Sequence, residues 1–177
     1  MTDIDDRARN TGPSEGLSLE LGRLLRSRNL TIATAESCTG GRIGAEIASV
    51  DGASDYFVGG VISYATRIKE DILGVQGTLI GKYGVVSEQT AMSMNRGVRR
   101  LMNADIAISV TGYAGASGGD EFVPNGTIWI CAASDKDCRT KCLNLDGLRS
   151  ANIAATVSEA LSLALELLSG TDPIPFR

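Results

Sequence analysis

The sequence contains no histidine among its 177 residues. This absence excludes Ser-His-Asp and Cys-His hydrolases, and also zinc enzymes that hold their metal through paired histidines on a helix. Any proton transfer must use lysine, tyrosine, aspartate, glutamate or water. No C-x-x-C spacing and no acidic cation loop is found either, so we expect no metal and no cofactor.

A surplus of positive charge and a long apolar run are also missing. The net charge of −4 and the pI near 4.9 argue against a nucleic-acid partner. No apolar run approaches the roughly 18 residues of a membrane span, and the amino terminus is acidic and polar, unlike a signal peptide. We therefore predict a cytoplasmic protein that binds neither nucleic acid nor membrane.

The four cysteines are few enough for a cytoplasmic chain that does not need disulfides. Three of them, Cys131, Cys138 and Cys142, surround a predicted β-hairpin. We predict that they are reduced structural thiols; a thiolate cluster is the alternative.

The length and the ordinary balance of 43% apolar and 21% charged residues predict one globular domain. We assign 1–15 to a disordered leader, 16–170 to the domain and 171–177 to a tail. The pattern of elements predicts an α/β or α+β fold, with a mixed sheet of about five strands and helices on its faces. The predicted helices span 17–29, 40–50, 66–73, 78–83, 87–102 and 149–168, and the predicted strands span 30–34, 56–64, 104–110, 126–133 and 138–145.

The stretch 34–41 joins a β-prone run to an amphipathic helix. A strand that turns sharply into a helix puts a small polar side chain at the carboxyl edge of the sheet, where free helix N–H groups can hold an anion. Ser37 is therefore a candidate nucleophile; the alternative is a serine or threonine that only caps the helix. The candidate anion donors are the N–H groups of Cys38, Thr39, Gly40 and Gly41.

A second glycine-rich loop, 111–119, also follows a buried predicted strand. Open α/β sheets place ligands at the carboxyl ends of their strands. We therefore expect the two glycine-rich loops to share one pocket. With histidine absent, the most plausible base for Ser37 in that pocket is a lysine.

These segments together resemble the carboxyl-terminal domain family of the competence/damage-inducible protein CinA. Stand-alone members of that family include bacterial nicotinamide-nucleotide amidohydrolases, the nicotinamide mononucleotide deamidases. The resemblance covers roughly 17–168, and the ordered set of motifs is far more specific than any one of them. The motifs are AESCTGG at 35–41, GGVISY at 59–64, Lys69 with ILGV at 72–75, YGVVSE at 83–88, Thr111-Gly112 with Ala114-Gly115, and PNGTIW at 124–129.

The resemblance implies a homodimer and a Ser–Lys hydrolytic pair formed by Ser37 and Lys69. Lys69 must be neutral to act as a base, which requires desolvation or nearby positive charge to lower its pKa. We expect Arg67 and a helix N-terminus to supply some of that charge. The alternative is a solvated helix lysine.

The resemblance also implies roles for residues around this pair. The Thr111 hydroxyl would help backbone N–H groups to stabilise an oxyanion, and Tyr64 would position Lys69 or stack on the pyridine ring. Glu36 would orient the site or serve as a cap or ion-pair partner, and Thr39 is equally suited to capping the helix. Cys38 is expected to be a small buried residue, since no histidine can activate it.

The glycine loop, through Gly112 and Gly115, is expected to contact phosphate or ribose, with Arg149 as a further substrate ligand. Three features depart from the family pattern: Asp71, Ala116 and the stretch 146–152. The sequence thus supports two readings. One is a metal-independent amidohydrolase that converts nicotinamide mononucleotide to nicotinic acid mononucleotide and ammonia; the other is a nucleotide-binding module that has lost turnover.

Overall fold

A computed structural model describes residues 13–119 and 121–170. Its centre is a single five-stranded sheet with the order β2-β1-β3-β4-β5. β1 is parallel to both β2 and β3, and β4 is antiparallel to both β3 and β5. The predicted mixed sheet is confirmed. Its strands are β1 (Ile32–Glu36), β2 (Phe57–Ile62), β3 (Ile106–Gly112), β4 (Thr127–Ala133) and β5 (Cys138–Asn144).

Helices connect and cover the strands, as the apolar periodicity predicts. α5 begins after Ser87, whose hydroxyl accepts a hydrogen bond from the Thr90 N–H at 3.2 Å and so caps the helix. A short 3-10 helix, Ala53–Asp55, precedes β2. The α-helices of the described ranges are α1 (Pro13–Ser27), α2 (Arg42–Ala48), α3 (Thr66–Asp71), α4 (Gly77–Tyr83), α5 (Glu88–Met102) and α6 (Arg149–Ser169).

The two faces of the sheet are built from side chains of different size. α1, α2 and α6 cover one face, where large β-branched residues such as Ile32, Ile108 and Ile130 form the main core. α5 covers the other face, where Ala33 and Ala107 are among the strand residues it meets. Small side chains let α5 approach the strands closely, while the larger core anchors the opposite layer.

α6 satisfies the length and composition of a membrane-spanning helix, although the sequence predicts no such span. Its mean hydropathy over an 18-residue window is 1.3, and 56% of that window is buried inside the protein. Ile153, Val157, Leu161 and Leu168 all lie in the main core. The apolar character of α6 is therefore accounted for by its packing on β4 and α1.

Two strand ends and one helix start extend at least two residues beyond the predicted bounds. β1 continues to Glu36 and β3 to Gly112, because Ala35 is 0% exposed and Thr111 only 1% exposed, and both extend the buried ladder. α1 begins at Pro13, so 13–15 are helical and do not belong to a leader; proline suits a first helical position because its missing N–H has no intrahelical partner there. The predicted segments 1–12 and 171–177 lie outside the described residues.

The glycine pair of β2 marks both a bulge and a close approach to β1. The pairing with β1 shifts by one residue, since Ile32 faces Phe57 but Ala33 faces Gly59. A Cβ on Gly60 would lie 2.2 Å from the Thr34 Oγ1 atom. Only glycine therefore fits beside β1 without a shift of this strand.

Candidate active site

The site lies where the strand order reverses. From β1 the chain passes to β2, which pairs with one edge of β1, whereas β3 pairs with the other edge of β1. Side chains that follow the carboxyl ends of β1 and β3 therefore meet at a topological switch point, the usual ligand position of open α/β sheets. A cavity of about 340 Å³ opens there, and its lining residues are Ser37, Cys38, Tyr64, Thr66, Lys69, Val85, Val86, Thr111, Gly112, Tyr113, Ala114, Ser117 and Arg149.

Ser37 and Lys69 are in direct contact in this cavity. Ser37 follows β1 immediately, and Lys69 projects from α3, which begins four residues after the end of β2. The Lys69 Nζ atom lies 2.9 Å from the Ser37 Oγ atom and donates a second hydrogen bond to the Ser63 carbonyl oxygen at 2.5 Å. The carbonyl orients the amine, so that a neutral Lys69 directs its lone pair at the Ser37 hydroxyl.

Burial makes Lys69 an unusual lysine. Its side chain is 1% exposed, and within residues 13–119 and 121–170 it forms no ion pair with a carboxylate. Burial lowers the pKa of Lys69 from its ordinary 10.5 to about 8, against a smaller raising effect of Cys38. Arg67, which we expected to contribute, is exposed and is not a cause of this shift.

Glu36 is also 1% exposed, but it faces the start of α2 and not the cavity. Its carboxylate accepts hydrogen bonds from the Thr39 hydroxyl at 2.7 Å and from the N–H groups of Gly41, Ile43 and Gly44 at 3.0, 3.1 and 2.8 Å. A carboxylate at this position satisfies the free donors of the first helical turn and offsets the helix dipole. Glu36 therefore fixes the turn that presents Ser37.

This capping arrangement removes part of the predicted anion site. The Gly41 N–H donates to Glu36, and the Gly40 N–H donates to the Ser37 carbonyl at 3.1 Å. The Cys38 and Thr39 N–H groups have no backbone acceptor in the described part of the chain. Of these two residues, Cys38 lines the cavity and Thr39 does not, so the Cys38 N–H is the donor of the turn that remains at the cavity.

Arg149 and Tyr64 close the cavity from opposite sides. Arg149 is the first residue of α6, and its Nη2 atom donates a hydrogen bond to the Tyr64 hydroxyl at 2.8 Å. Both side chains are exposed at the mouth, and Tyr64 is 61% exposed. Asn152, one turn along α6, donates to the carbonyls of Ala114 and Gly147 and so holds both neighbouring loops in place.

A profile of the CinA C-terminal domain family matches residues 14–168 of this sequence. The chain belongs to this family. A CinA-like protein of Cytophaga hutchinsonii is 43% identical over 150 residues, which make up 85% of this chain and 36% of that protein. The chain spans about a third of the length of the curated relatives it matches.

Solved CinA-family structures share this fold. The competence/damage inducible protein CihA of Agrobacterium tumefaciens has a TM-score of 0.85 and 31% identity, with 89% of this chain and 96% of that chain covered. The competence damage-inducible protein A of Klebsiella pneumoniae has a TM-score of 0.86 and 31% identity, with 90% and 99% covered. The CinA-type fold is therefore shown by sequence and structure together.

Among the site residues that the CinA resemblance implies, seven line the cavity: Ser37, Cys38, Tyr64, Lys69, Thr111, Gly112 and Arg149. Two of these, Tyr64 and Thr111, make contacts that differ from the expectation. The Tyr64 hydroxyl binds Arg149 and does not position Lys69, which is held by the Ser63 carbonyl and Ser37. The Thr111 hydroxyl donates its one proton to the Val85 carbonyl at 2.8 Å, so it has none for an oxyanion.

The other five predicted substrate ligands do not line the cavity. Glu36, Thr39 and Gly41 form the cap of α2, and Gly40 adopts a left-handed φ of 63° that the turn requires. Gly115 lies behind Arg149, where an added Cβ would stand 3.3 Å from its Nη1 atom. These residues shape the site from outside, because backbone geometry and capping use their polar groups.

The sequence prediction missed Ser63 and Thr66 as parts of the site, whereas Tyr113 and Ser117 lie in the loop 111–119 that was predicted to share the pocket. Ser63 acts through its backbone carbonyl, which a sequence does not distinguish from any other. Its position immediately before Tyr64, inside a quoted motif, was the available signal. Val85 and Val86 also line the cavity; they belong to the YGVVSE motif at 83–88, in which we assigned them no role.

Proposed function

We propose that this chain is a metal-independent amidohydrolase that converts nicotinamide mononucleotide to nicotinic acid mononucleotide and ammonia. The observation that carries the proposal is the 2.9 Å contact between Ser37 Oγ and the buried Nζ atom of Lys69, whose pKa is lowered to about 8. A depressed lysine pKa next to a serine hydroxyl is the arrangement that activates a serine where histidine is absent. The choice of substrate rests on the family resemblance.

In the proposed acylation, neutral Lys69 takes the proton of Ser37 as the Oγ atom attacks the carboxamide carbon. The negative charge that develops on the carbonyl oxygen meets the Cys38 N–H group. Lys69 then passes its proton to the departing nitrogen, which leaves as ammonia. An acyl-enzyme on Ser37 is the product of this half-reaction.

In the proposed deacylation, neutral Lys69 takes a proton from water, which attacks the same carbonyl carbon from the cavity. Collapse of the second tetrahedral intermediate returns the proton from Lys69 to Ser37 and releases the carboxylic acid, which loses its own proton to water and leaves as the carboxylate. Every proton is accounted for by Lys69, Ser37 and water. We therefore expect full activity after treatment with a chelator.

The cavity supports a substrate that carries both an aromatic ring and an anionic group. Tyr64 and Tyr113 are aromatic lining residues, Ser117 offers a hydroxyl, and Arg149 is the cation at the mouth. The volume of about 340 Å³ lies within the usual range of small-molecule sites. Arg149 belongs to the stretch 146–152 that departs from the family pattern, so this stretch still supplies a group suited to a nucleotide phosphate.

The alternative of a binding module without turnover rested on Asp71 and on that same stretch. Asp71 is exposed and does not line the cavity. The Ser37–Lys69 contact gives no reason for turnover to be lost, so we favour the enzyme.

Incubation of the protein with nicotinamide mononucleotide, with ammonia and the nucleotide products both quantified, tests the proposal. We expect equal amounts of ammonia and nicotinic acid mononucleotide, and none from Ser37→Ala, which should fold normally because the change removes one hydroxyl whose contact is with Lys69. Binding of the nucleotide without ammonia release would establish the alternative. Ammonia release that survives Ser37→Ala would remove Ser37 as the nucleophile.

We also propose that the protein works as a cytoplasmic homodimer. Val58 and Ile62 on the edge strand β2 are 44% and 55% exposed, which supports contact with a second copy. Light scattering after size exclusion should give twice the mass of 18.5 kDa. A single-chain mass at micromolar concentration would contradict the dimer.

A further inference from the structure

Two thiols of the β4–β5 hairpin lie in contact, away from the residues that line the cavity. The Sγ atoms of Cys131 and Cys138 are 3.6 Å apart. In the strand register Cys138 faces Ala133 and Cys131 faces Thr140, so the two cysteines are diagonal neighbours on the same side of the hairpin. The four-residue turn 134–137 keeps the strands in this register through the Ser134 N–H bond to the Asp137 carbonyl.

The environments of the two thiols differ sharply. Cys131 is 0% exposed and packs with Ala91 beneath α5, whereas Cys138 is exposed. Burial, and next the neighbouring Cys138, raise the pKa of Cys131 far above its ordinary value. A dissolved reagent can therefore reach Cys138 but not Cys131.

We propose that Cys131 and Cys138 form a reversible dithiol–disulfide couple, with Cys138 as the attacking thiol, Cys131 as the resolving thiol and small-molecule disulfides as the oxidant. This site is separate from the proposed hydrolysis and does not rest on it. The cysteines of the hairpin were expected to be reduced structural thiols. All of them are free thiols, and the exposed Cys138 beside Cys131 is able to undergo thiol–disulfide exchange.

The exchange takes two balanced steps. The Cys138 thiolate attacks one sulfur of the disulfide, forms a mixed disulfide and expels one thiolate, which takes up the proton that Cys138 lost. The Cys131 sulfur then attacks the Cys138 Sγ atom and expels the second thiolate, which receives the Cys131 proton. Two protein thiols are oxidised to one disulfide, and the small disulfide is reduced to two thiols.

The fold allows the closure that this bond requires. The sulfur atoms must approach from 3.6 Å to the bond length of about 2.05 Å. β5 is the last strand of the sheet order and pairs there only with β4, so its first residue can shift without disturbing a second strand. Formation of the mixed disulfide also removes the ionisable Cys138 thiol that helps to raise the pKa of Cys131.

Cys142 provides a matched control on the same strand. Cys138 and Cys142 are each two residues from Thr140, which faces Cys131. Both are therefore diagonal neighbours of Cys131, in opposite directions along β5. The Cys142 Sγ atom contacts the Leu143 carbonyl at 3.9 Å instead of another sulfur. The proposal therefore assigns the disulfide to Cys138 and excludes Cys142.

The experiment treats the folded full chain with oxidised glutathione, alkylates the remaining thiols and maps the tryptic peptides. Trypsin separates all four cysteines, since Lys136 lies between Cys131 and Cys138, and Lys141 precedes Cys142. We expect one crosslink, between Cys131 and Cys138, which dithiothreitol reverses. The crosslink should persist in Cys142→Ser and be lost in Cys138→Ser.

Cys131→Ala sharpens the result, because without a resolving thiol Cys138 should remain a stable mixed disulfide with glutathione. If this variant does not fold, the wild-type map and the two serine variants still decide. A wild-type protein that keeps glutathione on Cys138 without a crosslink, that links Cys131 to Cys142, or that remains fully reduced while a denatured sample reacts, would overturn the proposal.

Discussion

Glu36 and Lys69 are both ionisable, both 1% exposed and both within reach of the Ser37 turn, yet the protein uses them in opposite ways. Glu36 receives four hydrogen bonds, three of them from backbone N–H groups at the start of α2. Lys69 has two partners, the Ser37 hydroxyl and the Ser63 carbonyl, and neither carries a charge.

The difference shows how one fold stabilises one charge and destabilises another a few ångströms away. A buried charge is tolerable when hydrogen bonds and dipoles replace its hydration. The helix start gives Glu36 that replacement, so its carboxylate serves structure. Lys69 lacks a counter-charge, so burial favours its neutral amine, which is the form that can accept the proton of Ser37.

The two groups are also joined through Ser63. The Ser63 N–H donates to the Glu36 carbonyl at 2.7 Å, and the Ser63 carbonyl accepts from Lys69. The residue that caps α2 and the residue that meets the nucleophile are thus fixed to one strand end. Predictions that change one group at a time test whether their roles are as different as the contacts imply.

The largest effect is expected at Lys69. Lys69→Ala should lower kcat/KM roughly a hundredfold to ten-thousandfold, the usual range for loss of a general base. Lys69→Arg keeps the positive charge but stays protonated, so it should cost nearly as much. Kinetics of both variants with nicotinamide mononucleotide check this, and a near-wild-type Lys69→Arg enzyme would show that Lys69 supplies only charge.

Glu36→Gln should act mainly on stability. The amide nitrogen cannot accept a hydrogen bond, so at least one of the α2 donors loses its partner and the dipole loses its negative charge. We expect a loss of about 2–3 kcal/mol in the free energy of unfolding. Urea denaturation measures it, with Glu46→Gln, the same change on the same helix without these bonds, as the control; equal midpoints for the two variants would contradict the capping role.

Lys69→Met should separate function from stability. In wild type, the pKa of Lys69 falls from 10.5 in the unfolded chain to about 8 in the folded protein. Folding therefore releases a proton from this group between those values, and its contribution to stability rises with pH across that window. The inactive Lys69→Met protein should exceed wild type in its free energy of unfolding, and the difference should be largest below pH 8.

The difference in free energy of unfolding between Lys69→Met and wild type should shrink by about 2–3 kcal/mol as the pH approaches 10.5. Urea midpoints of both proteins at several pH values check this, and the other titrating groups cancel in the difference. A difference in stability that does not change with pH would mean that the folded protein leaves the pKa of Lys69 unaltered.

The smallest effect is expected at Cys38, a third buried ionisable group at the Ser37 turn. Burial raises the pKa of the Cys38 thiol to about 11, so it remains protonated at neutral pH. Cys38→Ala should keep most of the wild-type kcat/KM and cost about 1 kcal/mol of stability through the lost packing. A loss of activity as large as that of Ser37→Ala would identify Cys38 as the nucleophile in place of Ser37.

The sequence was sufficient to predict those features that depend on periodicity and motif. The five strands, the order of helices and the Ser87 cap follow from apolar spacing and capping chemistry. Ser37 could be found because a strand, a serine and two glycines lead into a helix. Lys69 could be assigned only with the family resemblance, since a lone lysine in a short charged helix is usually solvated.

The sequence could not predict which polar groups satisfy one another. Glu36 was expected either to orient the site or to serve as a cap or ion-pair partner, and the structure shows that it caps the α2 donors. The Thr111 hydroxyl was expected to reach an oxyanion, but it donates to the Val85 carbonyl. These choices depend on distances between segments far apart in the chain. Ser63 was missed for the same reason, since its contribution comes from a backbone atom that every residue possesses.

The pH dependence of kcat/KM for nicotinamide mononucleotide tests the central claim most directly, because it reports the ionisation of the free enzyme. No histidine is present to titrate near neutrality. The account predicts that kcat/KM rises with pH as Lys69 loses its proton, with an inflection near the pKa of about 8, and levels off above it. A profile that stays flat from about pH 6 to about pH 10 would contradict Lys69 as the neutral base that activates Ser37.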